Sequence, residues 1–276
     1  MIILVAGFSE DSGKTILAAS LVSTLRSEGL DAVGVKPLAG VDLWRNPGVL
    51  RESRLRKLVL SGDGLLLDRA GDGSLGAEAV SPVVVHFAPR DARRGRIVQE
   101  PVLGRVSACR EGRVDTLHWL NVEALDRVPV GLQAQILDTA GSLEPKPLRA
   151  GDEFAQRVLE GAFLAQADSC LHRAVEGHDV VVVESNSDQA APTPLSLRAS
   201  LVLVAAYGVA FIVDGDRWAK AVALLAGTRG HIAVSAEEAL RVAGHVREVA
   251  LPFLADPIEG YSRSDLDPIL DLVLHR

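Results

Sequence analysis

Residues 7–15 limit the possible folds of this 276-residue chain more than any other segment. They read Gly-Phe-Ser-Glu-Asp-Ser-Gly-Lys-Thr and lie between an apolar run at 2–6 and an amphipathic run at 16–26. A strand, a glycine-containing loop and a helix in this order are typical of a phosphate-binding loop, whose backbone N–H groups and helix N-terminus form an anion site. The alternative is a tight turn that happens to contain Gly-Lys-Thr, but it does not explain why a helix begins there.

The loop assigns a role to each of its last two residues. In such loops the lysine, here Lys14, lies at the terminal phosphates, and the hydroxyl of Thr15 coordinates Mg²⁺. Five residues separate Gly7 from Gly13, where the usual pattern has four, and Phe8 stands where the first glycine is expected. We expect the loop to contact the cofactor through Gly7, Ser9, Glu10, Asp11, Ser12, Gly13, Lys14, Thr15 and Ile16.

Composition narrows the class of protein further. The chain is 48% hydrophobic but only 4% aromatic, so its core is aliphatic, as in parallel sheets buried on both faces. A net charge of −7 argues against nucleic-acid binding. The first fifteen residues lack a basic leader and no apolar run is long enough for a membrane span, so we expect a cytoplasmic protein. Cys109 and Cys170 lack metal-ligand spacing and are expected to be buried, reduced thiols.

Apolar runs and helical patterns alternate along the chain. This alternation predicts an α/β fold with a doubly wound, mostly parallel sheet in a single domain over 1–276. Together with the loop at 7–15, it predicts a sheet of the P-loop NTPase type. Residues 103–121 predict an antiparallel hairpin that turns at Glu111-Gly112, within an insertion at about 90–150. The pattern also predicts strands over 130–137 and 232–235, a helix over 152–176, and a terminal helix over 264–274 with Ser264 as its N-cap.

Two charged residues follow predicted parallel strands, at the edge where such sheets bind ligands. Lys36 ends the second strand, and we expect it to lie beside Lys14 and face a phosphate or a carboxylate substrate. Glu184 ends a run of four valines and is expected to hold the Mg²⁺ shell or polarise a water molecule. The alternatives are a solvated lysine at a loop entrance and a surface salt bridge.

Asp138 competes with Glu184 for the magnesium role. Residues 136–141 read Ile-Leu-Asp-Thr-Ala-Gly, similar to the strand-end Asp-Thr-Ala-Gly of GTPases, in which the aspartate acts on Mg²⁺ through water. Because only one of these strands can take that place beside the first strand, the two residues are alternatives. Asp138 is otherwise explained as the cap of a turn.

These motifs together resemble dethiobiotin synthetase, a P-loop family whose relatives include MinD-like ATPases, cobyrinate amidotransferase ATP-binding domains and Mob-type proteins. The family loop has the same five-residue spacing before Gly-Lys-Thr. Its second strand ends in Lys-Pro, as residues 36–37 do, and a later strand ends in Val-Glu, as residues 183–184 do. Its Ser-Pro and Leu-Pro pairs resemble residues 81–82 and 251–252.

The resemblance implies an ATP- and Mg²⁺-dependent ligase-like enzyme that activates a small carboxylate or carbamate by γ-phosphoryl transfer. It implies that Lys14 and Lys36 hold the phosphate and the carbamate, and that Thr15 and Glu184 hold Mg²⁺. It also implies a third Mg²⁺-shell carboxylate, for which Asp42 and Asp63 are the candidates. The family is dimeric, so we expect a homodimer that binds a nucleotide and a small-molecule substrate, without a nucleic-acid or membrane partner.

A second class of function stays open at this point. The chain also fits a switch or accessory protein of the MinD or Mob kind, which binds GTP or ATP without a ligase reaction. The Asp138-Thr-Ala-Gly segment is the feature that favours this alternative.

Overall fold

The computed structural model describes residues 1–96, 98–148, 163–227, 230–254, 256 and 260–275. Within these ranges the chain is α/β, as predicted, and its strands form two mixed sheets. The strands are β1 (Ile2–Gly7), β2 (Ala32–Val35), β3 (Leu38–Asp42), β4 (Val83–Pro89), β5 (Gln99–Arg110), β6 (Arg113–Asn121), β7 (Lys146–Leu148), β8 (Val180–Glu184), β9 (Leu201–Ala206), β10 (Val209–Asp214) and β11 (Arg247–Ala250). The helices are α1 (Lys14–Ser27), α2 (Gly48–Arg56), α3 (Gly62–Ala70), α4 (Ala77–Val80), α5 (Val122–Leu125), α6 (Val130–Leu143), α7 (Leu164–Gly177), α8 (Gly215–Ala226), α9 (Ala236–Ala243) and α10 (Arg263–Leu274).

The first sheet has six strands in the order β11-β10-β9-β1-β8-β2. Its strands β9, β1, β8 and β2 run parallel, whereas β10 and β11 add an antiparallel edge. Every residue of β1 and β8 is buried, as expected for aliphatic strands in the middle of a sheet. The carboxyl ends of β1, β8 and β2 therefore meet at one edge, because Val5 pairs with Glu184 and Val35 with Val183.

The second sheet contains the predicted hairpin. Its order is β3-β4-β5-β6-β7, and β5 and β6 pair antiparallel across a turn at Glu111-Gly112, both with positive φ. Positive φ at both central residues is the geometry of a two-residue hairpin turn. The hairpin prediction is confirmed, and the hairpin belongs to a five-stranded sheet together with β3 and β4.

Two predicted elements differ in type from the observed ones. Residues 130–137 form most of helix α6 rather than a strand, because the buried residues Leu132, Ile136, Ala140 and Leu143 recur at helical spacing. A 3₁₀ turn at His231–Ala233 replaces the strand predicted over 232–235.

The C-terminal helix and the helix predicted over 152–176 differ in their bounds. The N-cap of α10 is Ser262 rather than Ser264, since its hydroxyl accepts the N–H of Asp265 in a capping box. Of the helix predicted over 152–176, residues 152–162 lie outside the described residues, and α7 covers residues 164–176.

Cys109 and Cys170 form a disulfide, so the expectation of two reduced thiols is wrong. Their Cα atoms lie 4.8 Å apart, although 61 positions separate them in the sequence. The end of β5 packs against α7, where the Cys109 N–H donates to the Ser169 hydroxyl. The pairing arises from this packing, of which the spacing of the cysteines gives no sign. None of the helices in the described part of the chain has the length and apolar character needed to cross a membrane.

Candidate functional site

The predicted phosphate loop connects β1 to α1, and its backbone is tightly curved. A Cβ atom on Gly7 would lie 2.3 Å from the Ser12 hydroxyl oxygen, so the loop closes over a position that only glycine fits. Asp11 and Gly13 both adopt left-handed backbone angles, with φ of 57° and 88°. Left-handed residues set between right-handed ones form a concave backbone whose N–H groups converge on an anion.

Lys14 is a buried cation at the base of this loop. Its side chain folds back so that Nζ donates to the Ser9 carbonyl at 2.5 Å and to the Ser12 hydroxyl at 3.4 Å, and the residue is only 5% exposed. These hydrogen-bond partners are neutral. Burial, reinforced by repulsion from Lys36, lowers the pKa of the Lys14 ammonium. An anion in the loop would relieve both effects, because it would supply the missing opposite charge.

Lys36, Thr15 and Glu184 meet at the carboxyl ends of the parallel strands. Oε1 of Glu184 accepts a hydrogen bond from the Thr15 hydroxyl at 2.7 Å and another from Nζ of Lys36 at 2.6 Å. Glu184 is fully buried, and Lys36 is 4% exposed. The three residues come from the start of α1, the end of β2 and the end of β8, so the order of the strands brings them together.

Asp63 completes this cluster. Its Oδ2 lies 2.7 Å from Nζ of Lys36, and its side chain is about half exposed, at 45%. The residue occupies the first turn of α3, which begins where the Ser61 hydroxyl accepts the N–H of Gly64. The sequence left Asp42 and Asp63 as alternatives for a third carboxylate, and the structure brings Asp63 to the cluster. The signal in the sequence that could have favoured Asp63 is its place two residues after Ser61, a residue type that commonly caps helices.

Burial and charge set the protonation of the cluster. Burial raises the pKa of Glu184 despite the nearby Lys36 ammonium. Burial also acts against the charge of Lys36, but the carboxylates of Glu184 and Asp63 outweigh it and raise the pKa of Lys36. Asp63 is affected in the opposite sense, because Lys36 overcomes the effect of burial and lowers its pKa. The Lys36 ammonium thus holds two carboxylates together.

The oxygen atoms of the cluster suit Mg²⁺. Oε2 of Glu184 and the hydroxyl of Ser185 are buried and have no hydrogen-bond partner among the described residues. Mg²⁺ prefers hard oxygen ligands and is held by one or two carboxylates together with substrate phosphates. The described residues contain no group of three or more His, Cys, Asp or Glu arranged to hold a metal. A magnesium ion here would therefore depend on Thr15, two carboxylates and oxygens from a ligand.

A cleft of about 1270 Å³ opens in front of these residues. One wall is the phosphate loop with Lys36, Asp63 and Glu184. A second wall comes from the other sheet and is lined by Gly40, Asp42, Arg45, Asn46, Phe87 and Gln99. The rim beyond the loop is lined by Ala206, Tyr207, Gly208, Pro252, Phe253 and Leu254.

Most of the predicted site residues line this cleft. The structure brings together Glu10, Asp11, Ser12, Gly13, Lys14, Thr15, Ile16, Lys36 and Glu184. Gly7 lies beneath the loop, and Ser9 contributes its carbonyl to Lys14. Asp138 does not join them: it lies on α6, its side chain is 61% exposed, and it pairs with Arg54. The carboxylate at the end of a strand beside β1 is therefore Glu184, and the strand-end interpretation of Asp138 is wrong.

No family model, no curated protein and no solved structure matches this chain. The fold and the site together define an α/β protein with a buried lysine-carboxylate cluster beside a glycine-containing loop.

Proposed function

We propose that this protein is a P-loop enzyme that uses ATP and Mg²⁺ to activate a small carboxylate or carbamate, as dethiobiotin synthetase does. One observation carries the proposal: Lys14, Thr15, Lys36, Asp63 and Glu184 come from four separate segments and converge at one end of the parallel strands. Ligands bind at this end of α/β sheets. If Gly-Lys-Thr were only a tight turn, nothing would explain why Lys36, Asp63 and Glu184 converge on it.

The phosphates of the nucleotide are assigned to the loop. Lys14 is buried against neutral oxygens, so it is ready to exchange the Ser9 carbonyl for a phosphate oxygen. The N-terminus of α1 begins at the same point and favours negative charge. Burial makes this attraction stronger than it would be in open water.

Thr15, Asp63 and Glu184 would hold Mg²⁺, with Lys36 beside them. When bound, the ion neutralises charge that develops on the phosphates. Lys36 has a related role in the protein itself, because its ammonium compensates the buried Glu184 and faces the cleft. From that position it can hold the carboxylate or carbamate that accepts the phosphoryl group.

The cleft has room for two ligands. Pockets for one drug-sized ligand span about 300–1000 Å³, and this cleft is larger, at about 1270 Å³. The wall from the second sheet carries Asp42, Arg45, Asn46 and Gln99, which suits a polar second substrate. In the proposed reaction an acceptor oxygen attacks the γ-phosphorus and the bond to ADP breaks. An amine then displaces phosphate from the acyl or carbamoyl phosphate.

Calorimetric titration with ATP and GTP, each with and without Mg²⁺, tests the nucleotide assignment. We expect Mg²⁺-dependent binding of ATP. Binding of GTP without any binding of ATP would contradict the dethiobiotin-synthetase-like proposal.

Phosphate release tests the reaction. We expect release in the presence of ATP and Mg²⁺ to increase when a diamine and bicarbonate, or another small carboxylate with an amine, is added. Hydrolysis that does not respond to any small carboxylate would indicate the switch alternative. The feature that favoured that alternative, the Asp138-Thr-Ala-Gly segment, lies on the surface helix α6.

A further inference from the structure

Two exposed aromatic side chains line the rim of the cleft beyond the phosphate loop. Tyr207 is 78% exposed and Phe253 is 95% exposed. Only 4% of the chain is aromatic, so two such rings on one cleft call for an explanation. Exposed aromatic rings offer flat apolar faces on which another ring can stack.

The sheet places both rings beside the loop. Tyr207 lies in the turn between β9 and β10, and its hydroxyl is 3.4 Å from the hydroxyl of Ser9 in the phosphate loop. The N–H of Leu251 donates to the carbonyl of Gly208 at 2.9 Å, so the chain after β11 runs past the same turn. Phe253 follows two residues later. Both rings therefore belong to the side of the loop opposite to the Lys36 cluster.

From this arrangement we propose that Tyr207 and Phe253 form a stacking platform for the nucleobase; the inference rests on the proposed nucleotide site. When its phosphates occupy the loop, a nucleotide can place its base against the wall from the second sheet or against the rim. The wall from the second sheet carries Asp42, Arg45 and Asn46 beside Phe87, whereas no side chain of the rim carries a charge or an amide. A planar base gains most from the rim, where it can cover exposed ring surface.

The same rim predicts weak discrimination between bases. Its described lining residues are Ala206, Tyr207, Gly208, Pro252, Phe253 and Leu254, none of which has a carboxylate or an amide side chain. Asn186, an amide side chain that lines the cleft, lies two residues after Glu184 at the end of β8. Stacking alone tolerates any base, because every base has a π face. The site accepts adenine and guanine nucleotides with similar affinity.

Calorimetry with ATP, GTP and inorganic tripolyphosphate, all with Mg²⁺, tests the platform. Loss of an aromatic stacking partner weakens binding by about 1–3 kcal/mol per base, which is about 5- to 150-fold. We expect Phe253→Ala and Tyr207→Ala to weaken ATP and GTP binding at least fivefold and to leave tripolyphosphate binding unchanged. Phe253→Trp should keep the nucleotide affinity of the unaltered protein, whereas Phe253→Leu should weaken it. Leu224→Ala, which removes a 74% exposed apolar side chain outside the cleft, is the control.

The outcomes separate this inference from the function on which it rests. If the unaltered protein binds neither ATP nor tripolyphosphate, the proposed nucleotide site is wrong and the platform with it. If it binds ATP and the two alanine variants bind ATP equally well, only the platform is overturned. A preference above 100-fold for one base overturns the base tolerance. If the two alanine variants sediment differently from the unaltered protein but bind nucleotide equally well, the rim contacts a second copy of the chain instead.

Discussion

Nζ of Lys36 lies 2.6 Å from Oε1 of Glu184, although 148 positions separate the two residues in the sequence. The contact exists because β2 and β8 are parallel neighbours whose ends coincide. Both side chains are buried, so each charge depends on the other for its stability. This pair joins the phosphate loop to the rest of the cleft, because Glu184 also accepts from Thr15.

Removing one partner of this buried pair should destabilise the protein. Lys36→Met leaves the Glu184 carboxylate buried without its cation, and we expect the free energy of unfolding to fall by about 3 kcal/mol. The double variant Lys36→Met/Glu184→Gln should regain most of that loss, since neither charge of the pair remains. Urea unfolding measures both. The exposed pair of Arg241 and Glu237 is the control, and Arg241→Met should change stability much less. Equal losses in the single and double variants would contradict the charge argument.

Lys14→Ala should abolish nucleotide binding and leave the fold intact. The substitution removes the buried ammonium that we assign to the phosphates, and we expect the dissociation constant for ATP to rise more than 100-fold. Calorimetry measures the affinity, and circular dichroism reports the fold. Lys220→Ala, at an exposed lysine on α8, should bind as the unaltered protein does. Unchanged affinity in Lys14→Ala would refute the phosphate-loop assignment.

The Mg²⁺ dependence of ATP binding should distinguish variants of Asp63 from variants of Asp42. Asp63→Asn removes a carboxylate from the cluster, and we expect the Mg²⁺ concentration for half-maximal ATP binding to rise about tenfold. Asp42→Asn should leave that concentration unchanged, because Asp42 is held by Gln99 and by backbone N–H groups of the turn after β3. Titration of Mg²⁺ at fixed ATP provides the measurement. The opposite pattern would assign the third carboxylate to Asp42.

Stability should fall in mild acid because two histidines are held neutral. Burial lowers the pKa of His86 and of His118 to about 4, from about 6.5 in an unfolded chain. Below pH 6.5 the unfolded state therefore binds more protons than the folded state. His86 should then remove about 1 kcal/mol of stability by pH 5.5 relative to pH 7.5, and the partly exposed His118 should remove less. Urea unfolding at the two pH values measures this loss, which should be smaller in His86→Gln. An identical loss in that variant would argue against the role of His86.

The disulfide should stabilise the protein. Closing a loop of this length restricts the unfolded chain and is worth about 2–4 kcal/mol. We expect dithiothreitol to lower the urea midpoint of the unaltered protein, and to have no such effect on Cys109→Ala/Cys170→Ala. Thiol counting by mass spectrometry before reduction verifies the bond directly. Two free thiols in the purified protein would contradict it.

Local patterns were sufficient for the loop and for two of its partners. Glycines, a lysine and a threonine between a strand and a helix predicted the loop, and the strand-end rule selected Lys36 and Glu184. The prediction of a strand before Asp138 was wrong because a short apolar run is ambiguous, and the 3.6-residue spacing of Leu132, Ile136 and Ala140 favours a helix. The sequence did not favour Asp63 over Asp42, since both lie in the segment 39–78, which is rich in glycine, aspartate and arginine.

The sequence by itself determined that the chain is α/β and that a glycine-containing loop connects its first strand to a helix, because both depend on residues close together in the chain. Only the tertiary structure decided the contacts between distant segments. The order of the parallel strands joined Lys36 to Glu184, the start of α3 brought Asp63 to them, and the packing of β5 on α7 paired Cys109 with Cys170. Such contacts follow from how sheets and helices pack together, and spacing along the chain carries no record of that packing.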